Sequence, residues 1–149
     1  MNSRTNIDPV KAKAKRIKCE KEHLFFTRAF FLPRMGFKFS VNWHHEYIAD
    51  KIDEVIAGKV KNLVINVPPG SGKTELLTNL IARGIARNPR SRFLYLSFSQ
   101  SLVEDVSATA RNIVKSEDFQ RLWPVKISTS TDAKSSWKTT VDGDRKSVV

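Results

Sequence analysis

The chain has 149 residues, 40% hydrophobic and 28% charged, a globular rather than disordered composition with room for one domain and its core. Its 26 Lys and Arg against 15 Asp and Glu leave a formal charge of +11, which favours polyanionic partners and says nothing about fold. One cysteine, Cys19, excludes an internal disulfide framework, and no apolar run approaches the roughly 20 residues that a membrane-spanning helix needs. Met1 to Arg16 is polar and basic, unlike a secretory signal. The expected class is soluble, intracellular and single-domain.

The first segment, residues 1–38, reads as a basic helical N-terminal arm. Residues 1–40 carry ten Lys and Arg against three Asp and Glu, the strongest surplus along the chain. Lys11, Lys13, Lys15, Arg16 and Lys18 either solvate one helix face or contact phosphates, and charge alone favours the solvated face. Phe25, Phe26, Phe30 and Phe31 follow as an aromatic stripe, better explained by core packing than by stacking on single-stranded bases.

Residues 39–149 read as part of an α/β domain, a parallel sheet flanked by helices. Leu63–Val67 is a short apolar run of the kind buried on both faces of a parallel sheet, and Phe93–Phe98 is a second. Between them Leu76, Leu77, Leu80, Ile81 and Ile85 share one face of a helix predicted over 73–87, stopped by Asn88 and Pro89. Arg83, Arg87, Arg90 and Arg92 bracket that helix end, where cations suit the dipole. Leu102, Val106, Ala110, Ile113 and Val114 predict another helix over 100–115. The polar stretch from Ser128 to Lys146 reads as loop or edge strand, with a strand beginning at Val148.

Where the first run ends stands Val67-Pro68-Pro69-Gly70-Ser71-Gly72-Lys73-Thr74, a P-loop with valine at its usual first glycine. Gly70 and Gly72 let successive N–H groups converge on a phosphate, and the following helix adds its positive end. Lys73 reaches the β- and γ-phosphates of ATP, and the Thr74 hydroxyl takes one position on Mg²⁺. The strand before and the helix after are the context that separates a nucleotide loop from an ordinary glycine turn. His44 and His45 are adjacent but have no Cys or carboxylate at zinc-ligand spacing.

From about Lys38 to Gly143 the chain resembles the ATPase domain of the large terminase subunit of tailed bacteriophages, the motor that pumps DNA into proheads. Four pieces carry the resemblance in order: Trp43 to Ile48 with Ala57-Gly58-Lys59-Val60; Asn66 to Glu75; Tyr95 to Ser99 leading to Arg111-Asn112-Ile113-Val114; and Leu122-Trp123-Pro124 with Thr131-Asp132-Ala133-Lys134 and Trp137. The resemblance implies that Pro69, Gly70, Ser71, Gly72, Lys73, Thr74 and Glu75 hold ATP–Mg²⁺, with Trp43 and His44, and beside them His45 and Tyr47, at the adenine base. The residues themselves leave open whether Trp43 and Ile48 merely pack the lead-in helix onto the sheet. The resemblance further implies double-stranded DNA, a phage portal and a small terminase subunit as partners, a homo-oligomeric motor, the host cytoplasm and no membrane.

Gly70 stands where many such subunits carry an arginine, and the glycine pair after Trp137 is reduced to Asp142-Gly143. No acidic residue after Thr74 follows four apolar residues, so the Walker B carboxylates that orient metal and water, like the nuclease domain, are missing from this chain. It is therefore expected to bind ATP–Mg²⁺ and hydrolyse it poorly, with no catalytic residue of its own. The alternatives are a helicase-like P-loop ATPase, against which the Trp-Pro and Thr-Asp-Ala-Lys segments weigh, and a basic nucleic-acid-binding module with a structural glycine loop.

Overall fold

In a computed structural model, which describes residues 8–133, 136–141 and 144–148, the basic segment forms two packed helices. Helix α1 (Pro9–Lys21) starts on a proline, with the Asp8 carboxylate accepting from the Val10 N–H at 2.9 Å. After Glu22 the chain re-enters helix as α2 (His23–Met35), which Gly36 ends in left-handed conformation. Phe26 and Phe30 of α2 are buried with Cys19 in the main core, so packing does account for those rings. Burial pushes the Cys19 thiol up to about 12, which keeps it protonated and inert.

Helix α3 (Trp43–Ile56) buries Ile48 and Ile52 against Leu76 of α4 (Lys73–Arg87). Strand β1 (Phe93–Leu96) and α5 (Gln100–Lys115) follow. The short α6 (Glu117–Leu122) is capped by Ser116, whose Oγ accepts from the Phe119 N–H. Helices α4 and α5 cover the predicted spans. Their inner faces (Ile81, Ile85, Val106, Ala110) meet Phe119, Trp123 and Trp137 in the main core. Gly84 is there for contact: a Cβ would lie 2.2 Å from the Phe93 ring, so only glycine lets β1 pack this closely on α4.

The sheet departs from the expected parallel one. Its order is β1-β4-β3-β2, where β2 is Ile127–Asp132, β3 Ser136–Thr139 and β4 Asp144–Val148. Only β1 and β4 run parallel, with Phe93 opposite Arg145; the other pairs are antiparallel. The polar C-terminal stretch thus supplies three of the four strands, and it buries Trp137 and Thr139. Leu63–Val67 is extended but belongs to no ladder among the described residues. Leu63, Ile65 and Val67 turn inward onto the α3–α4 cluster, while Val64 is 90% exposed. An apolar run buried on one side and unpaired along its edges satisfies the hydrophobic pattern of a strand without its hydrogen bonds. Leu94, Leu96 and Phe98 (98%) are likewise exposed. No helix among the described residues is long and apolar enough to cross a membrane.

A buried polar network ties the N-terminal helices to α3 and α4. The Arg83 guanidinium donates to the carbonyls of Cys19 at 3.0 Å and Glu20 at 2.8 Å, in the last turn of α1, and pairs with Asp53 of α3. The other Asp53 oxygen accepts from the His23 N–H at 3.0 Å, at the first residue of α2. Arg83 therefore serves the end of α1, not that of its own helix as its position suggests: its side chain is fully buried, and the helix dipole it meets belongs to a neighbour.

His23 completes the junction. Its Nε2 meets the Leu76 carbonyl at 2.9 Å and therefore carries the proton, and its Nδ1 is buried without a partner. Burial pushes its pKa from 6.5 down to about 4. The unfolded chain then holds more protons between those values, so His23 contributes full stability above pH 6.5 and loses it as pH falls towards 4. The loss is about 3 kcal/mol. Urea titrations across that window are expected to show it, and His23→Gln should flatten the slope; an equal slope in the variant would remove His23 as its source.

Candidate functional site

The site grows from the turn between the extended run and α4. Gly70 and Gly72 both have φ of 76°, the left-handed region that favours glycine, and Gly72 is the N-cap of α4. A Cβ at Gly70 would meet nothing within 4 Å, whereas one at Gly72 would lie 2.8 Å from His45 Nε2 and 3.5 Å from the Phe39 ring. Gly70 thus serves backbone conformation alone. Gly72 serves conformation and close approach together.

His45 enters the site through the start of α3. The Asn42 N–H donates to His45 Nδ1 at 3.0 Å, so the neutral ring carries its proton on Nε2. That Nε2–H donates to the Ser71 carbonyl at 2.9 Å, and His44 Nε2 meets the same oxygen at 3.2 Å. Burial lowers the His45 pKa, and the charge of His44 beside it acts in the same direction, against the Ser71 carbonyl. The neutral tautomer is also what the arrangement needs, since a proton on Nδ1 would displace the Asn42 N–H. In a trans peptide the carbonyl and the following N–H point in opposite directions. Two imidazoles holding the Ser71 oxygen therefore aim the Gly72 N–H away from themselves. The histidines set the direction of an amide in the loop.

Of the predicted site residues, Pro69 to Thr74 come together as one turn at the start of α4. Lys73 Nζ donates across it to the Val67 carbonyl at 3.5 Å. The Ser71 Oγ is buried with no hydrogen-bond partner. Glu75 faces elsewhere: its carboxylate pairs with Arg34 of α2 and accepts from Asn79 Nδ2 at 2.6 Å. His44 is turned onto the loop carbonyl. Trp43 is 78% exposed, so it does not pack α3 onto the sheet; with Tyr47, Lys51 and the 63–67 run it lines a recess of about 270 Å³. Asp142 and Gly143 lie outside the described residues.

Two left-handed glycines, the buried Ser71 hydroxyl and the lysine at the start of α4 are the chemistry that would suit an oxyanion of phosphate size at a helix N-terminus. Among the described residues no group of three or more His, Cys, Asp or Glu is placed to hold a metal. Mg²⁺ would therefore depend on Thr74 and on the phosphates themselves, as this ion commonly does. Sequence reading set His45 at the base, whereas its Nε2 meets the Ser71 carbonyl, and it missed Phe39 as part of the site. The signal for His45 was Asn42 three residues before it, a helix-capping spacing.

A family model described as "Type III restriction enzyme, res subunit" matches residues 38–147, well over half of the chain. No curated protein and no solved structure matches.

Proposed function

Because the chain belongs to the family of the type III restriction enzyme res subunit, a helicase-like P-loop ATPase family, we propose that its loop binds ATP–Mg²⁺ in the service of a DNA-translocating motor. The observation that carries this reading is the histidine-held Ser71 carbonyl between two left-handed glycines at the start of α4. The loop amides and the α4 dipole bind the β- and γ-phosphates, Lys73 neutralises them, and Thr74 offers its hydroxyl to the metal. Trp43 supplies a stacking face for the base and His44 a polar edge.

The family match favours the helicase-like reading that the Trp-Pro segment weighed against. The finer terminase reading rests on the four ordered resemblances alone. On that reading the partners are double-stranded DNA, a portal and a small subunit, and the motor is a homo-oligomer in the host cytoplasm. No acidic residue after Thr74 follows an apolar run of four, so this chain alone binds ATP far better than it hydrolyses it.

Lys73→Ala tests the nucleotide reading. Loss of a charge-assisted contact is expected to weaken a fluorescent ATP analogue roughly 10- to 100-fold in equilibrium titration. Equal affinity in both proteins would overturn it.

A further inference from the structure

Away from the loop, the furrow between α1 and α2 has a chemistry of its own. It is a groove of about 490 Å³ with Lys15 and Lys18 of α1, Arg28 of α2 and Lys38 on its walls, and with Phe25 and Phe39 between them. No carboxylate lines it, although that of Glu22 lies 4.0 Å from Lys18. Among the described residues Lys15, Arg28 and Lys38 enter no ion pair. Solvated helix faces usually intersperse both signs and stay convex. Here one sign converges on a concave, aromatic surface.

We propose that this groove binds single-stranded nucleic acid. Its cations suit a phosphate backbone, and its rings distinguish one form of that backbone from another. A duplex keeps its base faces inside the stack and offers the groove phosphates only. An unpaired strand can also lay bases on aromatic side chains, at about 1–3 kcal/mol per base. Phosphate and base contacts lie side by side, since the Lys18 ammonium is 4.7 Å from the centre of the Phe25 ring. Phe39 is preset: its ring meets Phe31 at 5.1 Å and His45 at 4.8 Å, both nearly edge-on. Because Phe39 also touches the Gly72 position, a strand in the groove lies next to the nucleotide loop.

The test is fluorescence anisotropy of a labelled oligodeoxythymidine of about 12 nucleotides, titrated between about 50 and 200 mM salt. Arg28→Gln/Lys38→Gln replaces two exposed side chains outside the core. It is expected to weaken binding at least tenfold at the lower salt and to make the log–log salt slope shallower by about 1.4, at about 0.7 per phosphate. Phe25→Leu keeps apolar volume and loses the ring; it should weaken binding roughly 5-fold or more at an unchanged slope. Lys73→Ala should leave strand binding unaltered, so failure here is separable from failure of the nucleotide reading. Wild-type affinity in both folded variants would overturn the proposal, as would equal displacement of the strand by a duplex of the same length or by polyglutamate.

Discussion

Arg83→Leu is expected to lower stability by about 3–5 kcal/mol, a large share of the 5–15 kcal/mol typical of a domain. The guanidinium of α4 sits at a junction where α1, α2 and α3 also meet. It meets the carbonyl end of α1, where unsatisfied acceptors and the dipole call for positive charge. Asp53, its partner, meets the N–H end of α2, where negative charge belongs. Leucine would leave two carbonyls and one oxygen of a partly buried carboxylate without their donor. Arg83→Lys should recover only part, because one ammonium cannot reproduce a planar fork that serves three acceptors. Arg87→Gln, at the exposed end of the same helix, should stay within about 0.5 kcal/mol. Urea midpoints at constant slope measure all three, and a loss for Arg83→Leu no larger than that for Arg87→Gln would mean the junction adds little.

That junction also marks where sequence reading stops. The spacing of Leu76, Leu80 and Ile81, closed by Asn88-Pro89, gives α4 to the residue, because helical periodicity and its stop signals are local. The glycine loop is legible for the same reason: the spacing of Gly70 and Gly72 just before Lys73-Thr74 is a local motif whose turn calls for positive φ. Arg83 is not legible, since its burial depends on α1 arriving from 64 residues away. Leu63–Val67 has the composition of a central strand, but composition cannot say which neighbour supplies the ladder. β1 found its parallel partner in residues 144–148, most of which polar composition had marked as loop or edge strand. Trp43 resisted prediction because an aromatic residue at a helix start packs or projects according to what lies opposite. Here the 63–67 run stands back from it and leaves a recess.

The loop predicts the second large effect. Gly70→Ala and Gly72→Ala force alanine into the same left-handed backbone, at about 1–2 kcal/mol each. At Gly70 the new methyl enters open space, so nucleotide binding should fall modestly. At Gly72 it would meet His45 Nε2 at 2.8 Å, the atom that holds the Ser71 carbonyl. The ring cannot withdraw without breaking that bond and its contact with the Asn42 N–H, so the loop must shift and the amide it aims is lost. ATP affinity in Gly72→Ala is therefore expected to drop by more than roughly 100-fold, while overpacking costs only about 1–3 kcal/mol of stability. A double-mutant cycle isolates the contact. In a His45→Ala background there is no ring to strike, so Gly72→Ala should cost about 1–3 kcal/mol less than in the wild type. Identical costs in the two backgrounds would show that His45 does not shape the loop, and that the strain at Gly72 belongs to its backbone alone.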